Sequence, residues 1–550
     1  MSRTPLFAAV RKALALASRD AGIGLPRTSA LTRRRMMQLS AAAAGAAALT
    51  PVLDWSAYAK QERPKGPIAI IGGGVAGLTA AYRLHEEGGT PIVYEASNRW
   101  GGRMYTKDDW YKGMFCELGG ELVDTNHKDL RNLCAEFGIE MQKLDVEGGE
   151  DLYFFNGHFR TLKDIIDPQA QCGAFAPIVK QIGDDADNLY DLDETCCTHE
   201  YKWTDLARRL DKNTSLKAYL KNLREKTNVE DWVIEMLDVA YVGEYGMATE
   251  DQSSLNLVNF IGTDLSKPFQ IFGESDEAWR IKGGSSKLIE ALEAALKNDG
   301  IEMKLGYKLK ELHVKNSQIV MTFDAPGGAQ NLNFDTAILA LPFTRLRDVK
   351  GVQNLVSGNK WKDKWKCIDE LGMGQNVKIM FGTKSRVWRS PETNLPVPSN
   401  GSICSDLTFQ DFWETSRAQP GEAGILSVFL GGNTDLTFDE FHDELAQMSP
   451  KMAESLDRAA VISFPWNSHP YTLGSYSGAK KGQYTTMFQL AREPALSGRL
   501  QFAGEHTEGP DNNGYMNGGV VSGNRAAKAI AHLMALEAPV IRECPHKQAG

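Results

Sequence analysis

Gly72, Gly74 and Gly77 stand in the spacing G-x-G-x-x-G where the apolar run from Ile68 ends. Gly72 permits a tight turn out of a strand. Gly74 lets the main chain approach a pyrophosphate, and Gly77 lets a following helix pack close to the strand. A helical pattern runs from Val75 to Glu87, with Ala76 in its first turn, where free N–H groups and the positive dipole end suit an anion. A second apolar run, Ile92 to Tyr94, ends in Glu95, where a ribose hydroxyl would be held. Strand, turn, helix, strand and acid in register imply a dinucleotide site.

The next residues read Glu95-Ala96-Ser97-Asn98-Arg99-Trp100-Gly101-Gly102-Arg103. This resembles the E-A-x-x-R-x-G-G-R signature of the flavin amine oxidase family. The resemblance makes FAD the expected dinucleotide, with Ala96, Gly102 and Arg103 continuing around its pyrophosphate. Leu118-Gly119-Gly120 resembles the family's turn beside the flavin, and Leu309 is the expected main-chain contact to the adenine.

Near the other end, Gly504-Glu505-His506-Thr507 and Gly514-Tyr515-Met516-Asn517-Gly518 resemble the C-terminal flavin segment of monoamine oxidases. There a second helix N-terminus meets the flavin, and its dipole would stabilise negative charge on the reduced ring. Trp466 precedes Gly474-Ser475-Tyr476 by the family spacing. By resemblance Tyr476 and Tyr515 form an aromatic cage that guides an amine nitrogen. Lys378, in Gly374-Gln375-Asn376-Val377-Lys378, matches the lysine that reaches the flavin N5 through a water. Where animal monoamine oxidases carry a flavin-linked Cys, this chain has Ser475. Non-covalent FAD is therefore expected.

The reaction implied is oxidation of an uncharged amine to an imine, hydrolysis to a carbonyl product, and reduction of oxygen to hydrogen peroxide. The cofactor carries the hard chemistry. L-Amino-acid oxidases often place a carboxylate-gripping arginine in L-G-x-M-R, and Leu122 occupies that position here. The neighbouring Glu121 adds negative charge where the pocket mouth is expected, which would repel a carboxylate and suit a second ammonium. An amine without an α-carboxylate is therefore favoured. An L-amino-acid oxidase, for basic amino acids above all, is one alternative, and a periplasmic amine dehydrogenase with a cytochrome acceptor is another. Carotenoid-desaturase and protoporphyrinogen-oxidase types share the first motif but lack the paired tyrosines.

These residues must be positioned by an α/β fold: a Rossmann-like FAD-binding domain with a parallel sheet, and a discontinuous α+β substrate domain. The FAD-binding domain is read at 66–140, 282–345 and 468–535. The substrate domain is read as helical over 141–281 and as an antiparallel sheet over 346–467, with a tail at 536–550. Lys304 to Val314 reads as one strand, and Thr336 to Leu341 as a buried parallel strand.

Residues 1–59 differ from the rest. Thr32-Arg33-Arg34-Arg35-Met36-Met37-Gln38 resembles a twin-arginine export signal, a mild apolar stretch follows, and Ala57-Tyr58-Ala59 fits an A-x-A cleavage site. The protein is therefore expected to leave the cytoplasm folded, through the twin-arginine machinery, for the periplasm or beyond. Eight basic against two acidic residues give this leader +6, so the remainder carries −15 of the whole chain's −9. That charge argues against nucleic acid as a partner. The eight cysteines show no CxxC pair and no zinc-ligand spacing, so no metal is expected.

Overall fold

The computed structural model describes residues 66–144, 148–190, 202–391, 393–432 and 435–534. The leader, Cys196, Cys197, Cys544 and the C-terminal tail lie outside the described residues.

Ile68–Ile71 is a continuous apolar run because it is buried on both faces at the centre of a five-stranded parallel sheet. It pairs with Pro91–Glu95 on one side and Thr336–Leu339 on the other. Glu302–Leu305 and Leu500–Phe502 form the edges. The helix Val75–Glu86 buries Leu78, Ala80, Ala81 and Leu84. The final helix, Met516–Met534, packs along it through small residues. A Cβ on Gly523 would stand 2.5 Å from the Ala76 carbonyl oxygen. Leu84 is fully buried, so Leu84→Ala would cost about 2–5 kcal/mol.

A seven-stranded mixed sheet makes the second layer. Its order is Leu456–Pro465, Val377–Thr383, Gly424–Leu430, Asp411–Glu414, Ser399–Ser405, Glu150–Phe155 and His158–Thr161. The helices Ala176–Asp187, Asp205–Asn213, Leu216–Lys226 and Asp231–Tyr245 share a hydrophobic core with Tyr153 and Phe155 of this sheet, and Asp231–Tyr245 packs against Ser399–Ser405.

Two expectations need correction. The stretch read as helical over 141–281 is not helical at its start. Glu150–Phe155 and His158–Thr161 are strands of the large sheet, and Glu150–Phe155 pairs parallel to Ser399–Ser405. Phe154 and Phe155 are buried there by partners from the distant 399–405 segment. Lys304 to Val314 is two strands in different sheets. Gly306, at φ +76°, turns the chain between them, a conformation that favours glycine.

Candidate active site

A cavity of about 930 Å³ begins at the glycine turn and extends to the large sheet. At its start, a Cβ on Gly77 would stand 1.9 Å from the Gly72 carbonyl oxygen, so no larger residue fits. Gly74 caps the Val75–Glu86 helix without a side chain, which leaves the helix N-terminus open to a ligand. Gly101 N donates to Gly73 O at 2.8 Å and joins the second glycine turn to the first. The buried Glu95 carboxylate accepts from Gly73 N at 2.7 Å and Ser97 N at 2.8 Å. Both carboxylate oxygens retain lone pairs, enough for a ribose hydroxyl. Ala76, Ala96, Gly102 and Leu309 line the same cavity, Leu309 beside a β-bulge.

Arg103 ties the two distant glycine motifs together. Its Nη1 donates to Glu505 at 2.6 Å and to the Ser475 carbonyl at 2.8 Å. Glu505 also accepts from Ser477 Oγ at 2.6 Å and Gly514 N at 2.7 Å. Burial alone would raise the Glu505 pKa, but Arg103, His506 and these donors outweigh it and hold the group below the ordinary range. His506 lines the cavity with both ring nitrogens unpartnered, and burial pushes its pKa down to about 3. Gly504 and Met516 line the wall beside it. The open N-terminus of the Val75–Glu86 helix, a partly free Glu95 and a glycine-lined cradle fit an FAD pyrophosphate and ribose.

The next stretch of wall gathers residues from four segments. A Cβ on Gly119 would meet the Arg103 carbonyl oxygen at 2.0 Å and Trp466 at 3.2 Å, and one on Gly120 would meet Met516 at 2.8 Å. Trp466 Nε1 donates to Leu118 O at 2.7 Å. Lys378 Nζ donates to Glu121 at 2.7 Å and to Gly119 O at 3.3 Å, and stands 5.1 Å from the Trp413 ring.

Glu121 departs from its expected place as a charge at the pocket mouth. It is 5% exposed and paired with Lys378, and it accepts a hydrogen bond from Thr415. Burial pushes its pKa up, but Lys378 and Thr415 more than offset that and hold it below the ordinary carboxylate range. With its charge compensated, it is not available to a second ammonium. Leu122 lines the cavity next to it.

Tyr476 stacks with Phe429, ring centroids 6.4 Å apart, and donates its hydroxyl to Glu244 O. Its ring also packs over Gly514, the residue before Tyr515. Tyr515 lies 4.7 Å from His127, whose pKa burial lowers to about 4, so that ring is neutral. Both tyrosines line the cavity.

Sequence reasoning missed the residues beyond them. Glu244, Glu277 and Asp411 line the cavity there. Burial, with neighbouring carboxylates, pushes Glu244 up to about 8 and Asp411 up to about 7. Glu277 has accessible side-chain surface, which fits its place on the cavity wall. One local signal existed for Glu244: a single acid among Val239, Ala240, Tyr241, Val242 and Tyr245 on an otherwise apolar helix end.

The chain matches the Flavin containing amine oxidoreductase family over residues 75–531. It is 23% identical over 488 residues to an L-amino-acid oxidase of Demansia vestigiata, covering 86% of this chain and 88% of that one. Its fold is similar to that of putrescine oxidase solved with putrescine bound. The TM-score is 0.68 at 19% identity, over 85% of this chain and 99% of that one. Cyclohexylamine oxidase from Brevibacterium oxydans IH-35A has the same fold, with a TM-score of 0.68 at 20% identity, over 86% of this chain and all of the other. The protein belongs to the flavin-containing amine oxidoreductases. It is an FAD-dependent enzyme that oxidises amines.

Proposed function

We propose that the chain oxidises an amine lacking an α-carboxylate and passes the electrons to oxygen. The observation that carries this reading is the group of carboxyl side chains that line the cavity together with Tyr476 and Tyr515. They are Glu244, Glu277 and Asp411. Lys378, which lines the same cavity, is already paired with Glu121, and Arg417, the cation that acts on Glu277 and Asp411, does not line it. Raised as they are, these carboxyls would be pushed further from ionising by an incoming carboxylate, whereas an ammonium would hold them ionised.

FAD, which the glycine turns at Gly72 and Gly504 and the Glu95 carboxylate would hold, would supply the two-electron chemistry when bound. In the balanced reaction the amine loses one C–H and one N–H bond, oxygen gains two electrons and two protons to become hydrogen peroxide, and water hydrolyses the imine. Tyr476 and Tyr515 orient the amine nitrogen by their ring faces. Lys378, held by Glu121 and Gly119, presents a fixed positive charge where reduced oxygen would develop negative charge. Residues 1–59 act as a leader for folded export; Arg33→Lys with Arg34→Lys should retain the protein in the cytoplasm on fractionation.

The test is anaerobic mixing of the holoenzyme with amines, followed by oxygen. Bleaching by amines and rapid reoxidation by oxygen are expected. Reoxidation by a cytochrome but not by oxygen would overturn the acceptor, and bleaching by amino acids alone would overturn the substrate.

A further inference from the structure

Tyr515 is tied to a carboxylate that the cavity does not reach. Its ring lies against His127, centroids 4.7 Å apart at 58°. Its hydroxyl hydrogen-bonds Ser275, which lines the cavity. Ser275 in turn hydrogen-bonds Asp124, which is 3% exposed and does not line the cavity.

Asp124 joins three segments. One carboxylate oxygen accepts from Glu277 N at 2.9 Å, and His127 Nε2 lies 3.4 Å from the other. Its own N–H donates to His127 Nδ1 at 3.0 Å. Nδ1 is therefore the acceptor, and the neutral ring carries its proton on Nε2, beside the carboxylate. The main chains around Asp124 are closed too. Val123 and Trp279 exchange hydrogen bonds at 2.7 and 3.0 Å, and Thr125 N donates to Asp276 at 2.8 Å. The same contact with Glu277 N fixes one residue of the acidic chamber formed by Glu244, Glu277 and Asp411.

Burial raises the Asp124 pKa only to about 6, so the group is ionised at neutral pH. An ionised carboxylate only accepts, so Ser275 donates to Asp124 and its oxygen accepts from the Tyr515 hydroxyl. Both side chains that Asp124 holds thus end on one tyrosine, His127 at its ring and Ser275 at its hydroxyl.

We propose that Asp124 is a positioning residue for amine oxidation: through Ser275 and His127 it fixes the hydroxyl and the ring of Tyr515 in the orientation that receives the amine. The inference rests on the reading of Tyr515 as a cage residue and adds the residues that hold it. A fixed ring serves the rate because small displacements of an orienting group are costly to the reacting geometry.

The test is anaerobic flavin reduction in the holoenzyme, which separates the limiting rate constant from the dissociation constant of the amine. The probe is whichever of butylamine, benzylamine and putrescine bleaches wild type fastest. Ser275→Ala and Tyr515→Phe should each slow reduction about fivefold, the worth of one neutral hydrogen bond, with little change in dissociation constant. Because both remove the same bond, the double variant should be no slower than either alone. Ser275→Thr keeps the hydroxyl and should restore the rate. Asp124→Ala should slow reduction about tenfold, and Asp124→Asn, which keeps partners for Glu277 N–H and Ser275, should recover most of it. Losses that multiply in the double variant would overturn the relay. A slow Tyr515→Phe beside an unaffected Ser275→Ala would overturn it and leave the cage standing. A lowered melting temperature with a normal rate constant in Asp124→Ala would make Asp124 a structural lock only. Full-speed reduction in Tyr515→Ala would overturn the cage reading and this inference with it, and inertness toward all three amines would sink the amine reading beneath both.

Discussion

The Lys378 ammonium and the Glu121 carboxylate meet at 2.7 Å, with each side chain 3% exposed. Thr415 and the Gly119 carbonyl complete the set. A buried pair of this kind fixes geometry more than it adds stability, and removing one partner leaves an uncompensated charge. Lys378→Met or Glu121→Gln alone should therefore cost about 3–5 kcal/mol. The double variant Lys378→Met with Glu121→Gln should recover part of that loss. Denaturant melts of the three variants check this, and strictly additive losses would show that the pair is not coupled.

The same lysine carries a kinetic prediction. Lys378→Met should slow reoxidation by oxygen far more than reduction by substrate, because its charge is placed to act on reduced oxygen. Rapid-mixing measurements of the two half-reactions separate the effects. Equal losses in both would assign the residue a structural role only.

FAD should be released by acid. Ser475 presents a hydroxyl, and that hydroxyl donates to Asn376 Oδ1 at 2.5 Å. Acid precipitation should leave yellow flavin in the supernatant; colour retained in the pellet would show a covalent bond. Arg103→Ala should also weaken FAD retention, since it leaves Glu505 buried without its cation and loosens the join between the two glycine motifs.

Stability should depend on pH through the acidic chamber. The folded protein raises Glu244 from 4.5 to about 8, so it binds the proton more tightly than the unfolded chain does. That contribution is complete below about pH 4.5 and is lost as pH rises through about 8. Asp411 acts in the same direction up to about 7; Asp124 and Asp411 are the charges acting on Glu244, and Asp151, partly offset by Arg417, is the one acting on Asp411. Substrate-free Glu244→Gln should therefore lose less stability than wild type between pH 5 and 8 on thermal melting. An identical slope would place the Glu244 titration elsewhere.

The cofactor end of the cavity is legible in the sequence because its requirements are local. A Cβ on Gly77 collides with a carbonyl five residues earlier, and Glu95 bonds the turn that precedes it by one helix. Pairings such as Arg103 with Glu505 are less legible, but each partner sits in its own short motif. The chamber is another matter. Glu244 ends a helix, Glu277 sits in a loop, and Asp411 opens a strand; only tertiary packing brings them together. Glu121 fails in the opposite way. As one acid in a glycine turn it reads as a free charge, and nothing local shows that Lys378 and Thr415 bury and neutralise it.

The central claim is that the substrate is an amine without an α-carboxylate. Its most direct measurement is kcat/KM for several amino acids beside the amines made by removing their carboxylates, lysine with cadaverine and ornithine with putrescine among them. The acidic chamber and the engaged Lys378 predict that the amine of each pair is used at least tenfold better. A consistent preference for the amino acids would contradict the account and require a carboxylate anchor among residues that Glu244, Glu277 and Asp411 do not shield.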